Sequence, residues 1–188
     1  MIFIEWEGSV IVETLVEEPQ KWSSELLEQF FQNRDKSVKS HKIRGRWENQ
    51  YLEIDTVPSA RKVMRLAREI GKNKLGITSI VLYESPCGSQ NPYPPFWFNV
   101  AAVGEITGLH DHAHLSSLSG VVYLQAGEGC GELYFRKEGV DDLNIRPEVG
   151  KLVLFPPFLK HGVHSNKSTK ERISFAFNLF PFPLTIPK

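Results

Sequence analysis

Five of the six histidines fall in two short stretches, and imidazole is the commonest protein ligand for a metal ion. Residues 104–114 read Gly-Glu-Ile-Thr-Gly-Leu-His110-Asp111-His112-Ala113-His114, and residues 150–164 run from Gly150 through Pro156 to His161-Gly-Val-His164. On a strand, residues two apart project from one face, so His110 and His112 are expected to point into one cavity. His161, on a strand returning later, would complete a facial set of three imidazoles. Such a set leaves positions open on an octahedral ion, as oxygen chemistry at non-haem iron requires. Taken singly, a histidine is more often a packed or surface residue than a ligand; two at i, i+2 beside a strand, with a third after an apolar strand and a proline turn, point to a metal. Counting back from Ser119-Gly120 shifts the register and admits His112-x-His114, which makes His114 an alternative ligand. His112 belongs to both solutions, while His41 stands in a charged segment and is given no role.

A second group narrows the chemistry. Glu171-Arg172-Ile173-Ser174-Phe175 opens the last apolar run, and alternation puts Arg172 and Ser174 on one face. A guanidinium turned into a barrel needs an anion, because an unpaired buried charge is strongly disfavoured. Its fork suits a ligand carboxylate. Tyr123, on a neighbouring run, can add a hydroxyl.

These groups must be held by a rigid frame. From Gly76 onward short apolar runs recur, at Ile77–Tyr83, Phe96–Val103, Leu118–Gln125, Glu132–Phe135, Lys151–Phe155 and Ile173–Phe180, separated by Gly, Pro, Asn and Asp. That texture is of antiparallel strands in a sandwich or barrel. Residues 1–76 mix a strand-like start with two helical patterns: Trp22, Leu26 and Phe30 in one, Val63, Leu66, Ala67 and Ile70 in the other. Ser59 is placed to cap the second helix, with Gly71 and Gly76 marking its end. Asp35–Asn49 reads as a polar surface loop, and Gly127–Gly131 as a hairpin turn that exposes Cys130. The expected architecture is a single domain, mainly β (α+β), with a helical support layer over residues 1–76 packed on a β core over 77–188.

Composition excludes several classes. The 188 residues carry 22 Lys plus Arg against 22 Asp plus Glu, so the chain lacks the basic excess of a nucleic-acid binder. Two cysteines are too few for a disulfide framework, and no apolar run approaches the ~20 residues of a membrane-spanning helix. The opening Met1-Ile-Phe-Ile-Glu5 lacks the basic region of a signal peptide. A cytoplasmic protein with no membrane or nucleic-acid partner is expected, a homodimer being one open assembly. Phosphate loops, Cys-x-x-Cys pairs and nucleophile elbows are missing from the sequence.

As an ordered set, Trp97-Phe-Asn99-Val, His110-x-His112, Ser119-Gly-Val-Val-Tyr123, Gly131-Glu-Leu-Tyr-Phe135, Gly150 through Pro156 to His161, and Glu171-Arg172-Ile-Ser174 with Phe177-Asn178 resemble the 2-oxoglutarate/Fe(II) oxygenase superfamily. The resemblance is to an uncharacterised prolyl-hydroxylase-like family of bacteria and phages, and it spans roughly residues 96–180. It implies a double-stranded β-helix (a jelly roll, cupin-like) in which His110 and His161 ligate Fe(II). Arg172, Ser174 and Tyr123 would hold the distal carboxylate of 2-oxoglutarate, and Asn99 would assist its keto-acid end at the metal. It further implies a dioxygenase, a hydroxylase of a small molecule or peptide, with no catalytic residue beyond the metal site. One departure is plain: the superfamily's second ligand is Asp or Glu, and this chain has His112 there. The spacing from Gly104 and Gly150 also resembles the cupin motifs. The rival readings are therefore a three-histidine metalloenzyme that does not use 2-oxoglutarate and a non-catalytic jelly-roll binding module. The Arg172–Ser174 pair separates them from the oxygenase.

Overall fold

The computed structural model describes residues 1–43, 46–77, 80–81, 95–112 and 116–181. In chain order the elements are β1 (Ile2–Trp6), β2 (Ser9–Leu15), α1 (Pro19–Asn33), β3 (Val38–Ile43), β4 (Arg46–Tyr51), α2 (Ala60–Lys74), β5 (Ile80–Val81), β6 (Phe96–Ala101), β7 (Thr107–His110), β8 (Leu118–Gln125), β9 (Leu133–Phe135), β10 (Leu143–Ile145), β11 (Lys151–Phe155), β12 (His161–Val163) and β13 (Arg172–Pro181). Glu7 and Gly8 both take positive φ, the primed two-residue turn that matches strand twist and closes β1 on β2. Pro19 sits in the first turn of α1, where its missing N–H costs nothing.

Two sheets of antiparallel strands face each other among the described residues. The larger runs β1-β2-β11-β8-β13-β6-β4-β3, with β5 also on β13; the smaller runs β10-β9-β12-β7. This is the jelly-roll arrangement the sequence leads one to expect. Both faces of the larger sheet are covered, by different layers. On one side α1 and α2 present Trp22, Leu26, Phe30, Val63, Met64, Ala67 and Ile70 to Val122, Leu154, Phe98, Phe175 and Phe177, all in one apolar core. Phe30 stacks on Phe98 with ring centroids 4.3 Å apart. On the other side Ile11, Val153 and Phe155 meet Leu133, Phe135 and Ile145 of the smaller sheet. Gly120 permits the helix-side packing: a Cβ there would run into the Phe177 ring and lie 2.9 Å from Leu154.

Several details differ from expectation. The stretch 35–49 is no surface loop: β3 and β4 form a hairpin whose second strand pairs with β6 through Asn49↔Asn99 and Gln50↔Phe98. Its Lys, Arg and Glu content, ordinary in an edge strand, hides the alternation. Ser59 makes no side-chain cap to α2; its hydroxyl instead donates to Glu25 and accepts from Gln29, tying the two helices together. Gly71 is buried inside α2, which runs on to Lys74, whereas Gly76 with φ +67° lies past the end. The Gly127–Gly131 turn is a crossover between sheets, joining β8 to β9, and Cys130 is buried at 2% exposure. Of the expected Ile77–Tyr83 strand, Ile80–Val81 forms β5 and Ile77 lies before it outside any strand, while 78–79 and 82–83, like His114 and Cys87, lie outside the described residues.

Candidate metal and co-substrate site

His110 and His161 are direct partners across the antiparallel pair β7–β12, which brings their rings to a centroid distance of 4.4 Å. His112 lies beyond the end of β7, so strand alternation does not place it. Its backbone N–H donates to Pro157 O at 2.7 Å, which folds the chain back, and its ring stands 5.0 Å from that of His110 and 5.3 Å from that of His161. One nitrogen from each of the three lies within 4.8 Å of the others.

Their hydrogen bonds select the tautomer. Nδ1 of His110 pairs with Gly108 O and Nδ1 of His161 with Leu159 O, both at 2.8 Å. A carbonyl only accepts, so each Nδ1 carries the proton and each Nε2 keeps a lone pair. Metal-binding histidines are oriented this way. Burial of His161 against Phe155 and Phe135, reinforced by the neighbouring His110, drives its pKa down to about 3, although the Leu159 carbonyl opposes the shift. The imidazole is neutral at physiological pH, as a ligand must be. Three imidazole nitrogens suit iron and its first-row neighbours.

A polar row crosses the inner face of the larger sheet. Ser174 pairs with Tyr123 on one side and Asn99 on the other, and Asn99 pairs with Asn49. Arg172, two residues before Ser174, is 1% exposed. Its Nη1 donates to Cys130 O at 2.8 Å and to His164 O at 3.4 Å. Gly131 makes room for it, since a Cβ there would lie 2.9 Å from Nη1, and its φ of +92° favours glycine as well. The Tyr123 hydroxyl is buried without a hydrogen-bond partner. Burial pushes its pKa well above the usual phenol range while the Arg172 guanidinium pulls the other way, so it stays a protonated donor. A buried cation and an unpartnered buried donor suit a dicarboxylic co-substrate.

Two further residues escape a reading of the sequence. Glu48 of β4, 4% exposed, accepts from Asn99 Nδ2 at 3.1 Å; no motif marks it. Asn166 is fully buried, its Nδ2 donating to Ala101 O at 3.0 Å and Lys170 O at 2.8 Å while Oδ1 accepts from Ser168 N. It pins the β12–β13 connection beside the Arg172↔Ala101 pair; the turn-rich Asn166-Lys-Ser-Thr-Lys run is the signal that could have found it. Trp97 lies between this row and the histidines, 5.6 Å from the His112 ring and 6.2 Å from that of Tyr51.

Comparison with known proteins follows the same lines. Residues 138–178, which hold His161, Arg172 and Ser174, match the family model described as putative 2OG-Fe(II) oxygenase. Curated proteins offer no significant sequence match. The fold is shared with a prolyl hydroxylase from Trichoplax adhaerens solved with a hypoxia-inducible-factor peptide fragment, at TM-score 0.67 and 13% identity over 91% of this chain and 83% of that one. It is shared equally with a Pseudomonas putida prolyl-4-hydroxylase, at TM-score 0.66 and 16% identity over 91% and 92% of the two chains. The epimerase SnoN, solved with Fe3+, α-ketoglutarate and nogalamycin RO, aligns at TM-score 0.66 and 12% identity over 93% and 79%. The chain is thus similar to the putative 2OG-Fe(II) oxygenases over residues 138–178 and shares its fold with prolyl hydroxylases.

Proposed function

We propose that the protein is an Fe(II)- and 2-oxoglutarate-dependent dioxygenase, a hydroxylase, working in the cytoplasm on a small molecule or peptide. The observation that carries this reading is the convergence of ligand atoms of His110, His112 and His161 to within 4.8 Å, and a buried Arg172 on the inner face of the larger sheet supports it. In this reading the three histidines hold iron through nitrogen atoms, and Arg172, Ser174 and Tyr123 take the distal carboxylate of 2-oxoglutarate. When bound, iron and 2-oxoglutarate supply the oxidising power for attack on a C–H bond, with succinate and CO2 as co-products. The chain's own residues bind, orient and keep water out. Gly108 O and Leu159 O fix two of the imidazoles. Phe135 and Phe155 exclude solvent behind His161, and Asn166 stiffens the approach to Arg172. The Trp97 ring next to His112, backed by that of Tyr51, forms a wall for the substrate.

His112 in place of a carboxylate favours one rival, a three-histidine metalloenzyme with no use for 2-oxoglutarate. Incubation with Fe(II), 2-oxoglutarate and dioxygen separates the two. The oxygenase releases succinate slowly even without its substrate, and His161→Ala abolishes that release; metal binding with no succinate formed supports the rival.

A further inference from the structure

The candidate ligand cluster brings no negative charge to a metal. Asp, Glu and Cys side chains could join such a group, yet among the described residues only His110, His112 and His161 bring ligand atoms within 4.8 Å of one another. Asp111, between two of them, is exposed and is no member. The buried acid Glu48 is likewise outside the cluster and is bonded to Asn99. An imidazole binds metal as the neutral ring. A divalent ion held by these three rings therefore keeps its full charge, whereas one carboxylate in place of an imidazole would halve it.

Position 112 is where that charge is decided. His112 lies past the end of β7, and its main chain is fixed by the bond from its N–H to Pro157 O. Its half-buried ring belongs to neither strand of the β7–β12 pair, so the side chain can change without disturbing that pair. The missing carboxylate acts in opposite directions on the two ligands. A bare divalent ion is held less firmly, because no anion of the protein offsets its charge as it leaves water. A dianion beside that ion is held more firmly, because no carboxylate repels it and the buried Arg172 attracts it as well.

We propose that His112 couples the metal to the co-substrate: the three rings hold a divalent ion loosely on its own and tightly once a dianionic 2-oxo acid is bound, each ligand tightening the other by more than a carboxylate at 112 would allow. This rests on the oxygenase reading above and adds a regulation to it, in which metal occupancy follows the concentration of the co-substrate. The donor set also biases the choice of ion, since imidazole suits iron, nickel and copper while carboxylate oxygen suits manganese.

The test is anaerobic calorimetry on the metal-free full chain with Co(II), Mn(II) and 2-oxoglutarate, in wild type, His112→Asp, His112→Glu and the neutral His112→Asn. The quantity read is the factor by which saturating 2-oxoglutarate tightens Co(II), which by linkage equals the factor by which Co(II) tightens 2-oxoglutarate. Chelation of the keto acid contributes to that factor in every variant, so the comparison between variants isolates the charge. The factor is expected to fall by roughly five- to a hundredfold in the two acidic variants, the span of ordinary coupling between sites, and to stay within about threefold of wild type in His112→Asn. Added alone, both ions should bind the acidic variants more tightly than wild type, with Mn(II) gaining more; general damage to the site cannot produce such a gain. A factor in both acidic variants within about twofold of wild type, an equal fall in His112→Asn, or loss of metal binding in both acidic variants would overturn the proposal and leave the oxygenase reading standing. Wild-type protein that binds no 2-oxoglutarate even with Co(II) present would instead overturn that reading, and this proposal with it.

Discussion

The two faces of β13 differ in chemistry, although Ala176 and Phe180 put two half-buried apolar residues on the polar one. Ile173, Phe175, Phe177 and Leu179 point to the helices at 0–1% exposure, while Arg172, Ser174 and Asn178 point to the smaller sheet at 1%, 5% and 7%. A core built only for stability has no use for the second set, because burying polar groups is unfavourable unless each is met. One strand thus separates the labour of the molecule. Its helix-facing side supplies the hydrophobic free energy, and its inner side uses part of that stability to hold a desolvated cation and hydroxyls where a ligand can reach them.

Substitutions on the two faces should therefore fail differently. The largest effect is expected for Phe175→Ala, which should cost about 3–5 kcal/mol of stability, lowering the melting temperature by roughly 10 °C for a chain of this size. The fraction that remains folded should bind 2-oxoglutarate normally, and a selective binding loss at unchanged melting temperature would erase the distinction between the faces. Arg172→Ala should do the reverse. Losing a charge-assisted pair of this kind costs at least ~1.5–3 kcal/mol, so 2-oxoglutarate affinity should drop more than tenfold while metal affinity, measured separately with Co(II), stays put.

Tyr123→Phe sharpens the contrast at smaller scale. Removing a buried hydroxyl that has no partner should leave the ligand-free melting temperature unchanged or slightly raised, while weakening 2-oxoglutarate by roughly two- to tenfold. A fall in stability without an effect on binding would make Tyr123 part of the scaffold. The smallest effect near neutrality is one of pH. His161 titrates near 3 when folded against an ordinary value of 6.5, so the unfolded chain takes up the proton first. Stability should be intact above pH 6.5 and decline as pH falls from there toward 3. Chemical denaturation at pH 7 and pH 5 should show this decline in the metal-free protein and a shallower one in His161→Asn; equal slopes would mean that the histidine is not desolvated.

The same contrast explains what could be read in the sequence. Alternation along residues 172–179, broken only by Ala176, made the apolar and polar faces of β13 legible, and the apolar runs at 118–125 and 151–155 matched β8 and β11 closely. Spacing could not decide how His112 is placed, because β7 stops at His110 and a backbone bond to Pro157 turns the chain. The β3–β4 hairpin was hidden because its edge position lets charged side chains interrupt the pattern, and with it went Glu48, whose role depends on a pairing 51 residues away in the chain. Cys130 was expected at the surface because Gly127–Gly131 looks like a hairpin tip. In the fold that turn crosses between sheets and its carbonyl receives Arg172, which buries the thiol.

The central claim is that the three histidines and Arg172 form one site for iron and 2-oxoglutarate. Anaerobic addition of Fe(II) and then 2-oxoglutarate to the metal-free protein tests it most directly, by the visible charge-transfer absorption of a keto acid chelated to the metal. The account predicts a saturable band in the wild type that is lost in His161→Ala, and in Arg172→Ala at the same ligand concentration. Iron binding with no band at saturating 2-oxoglutarate, or a band that survives both substitutions unchanged, would contradict it.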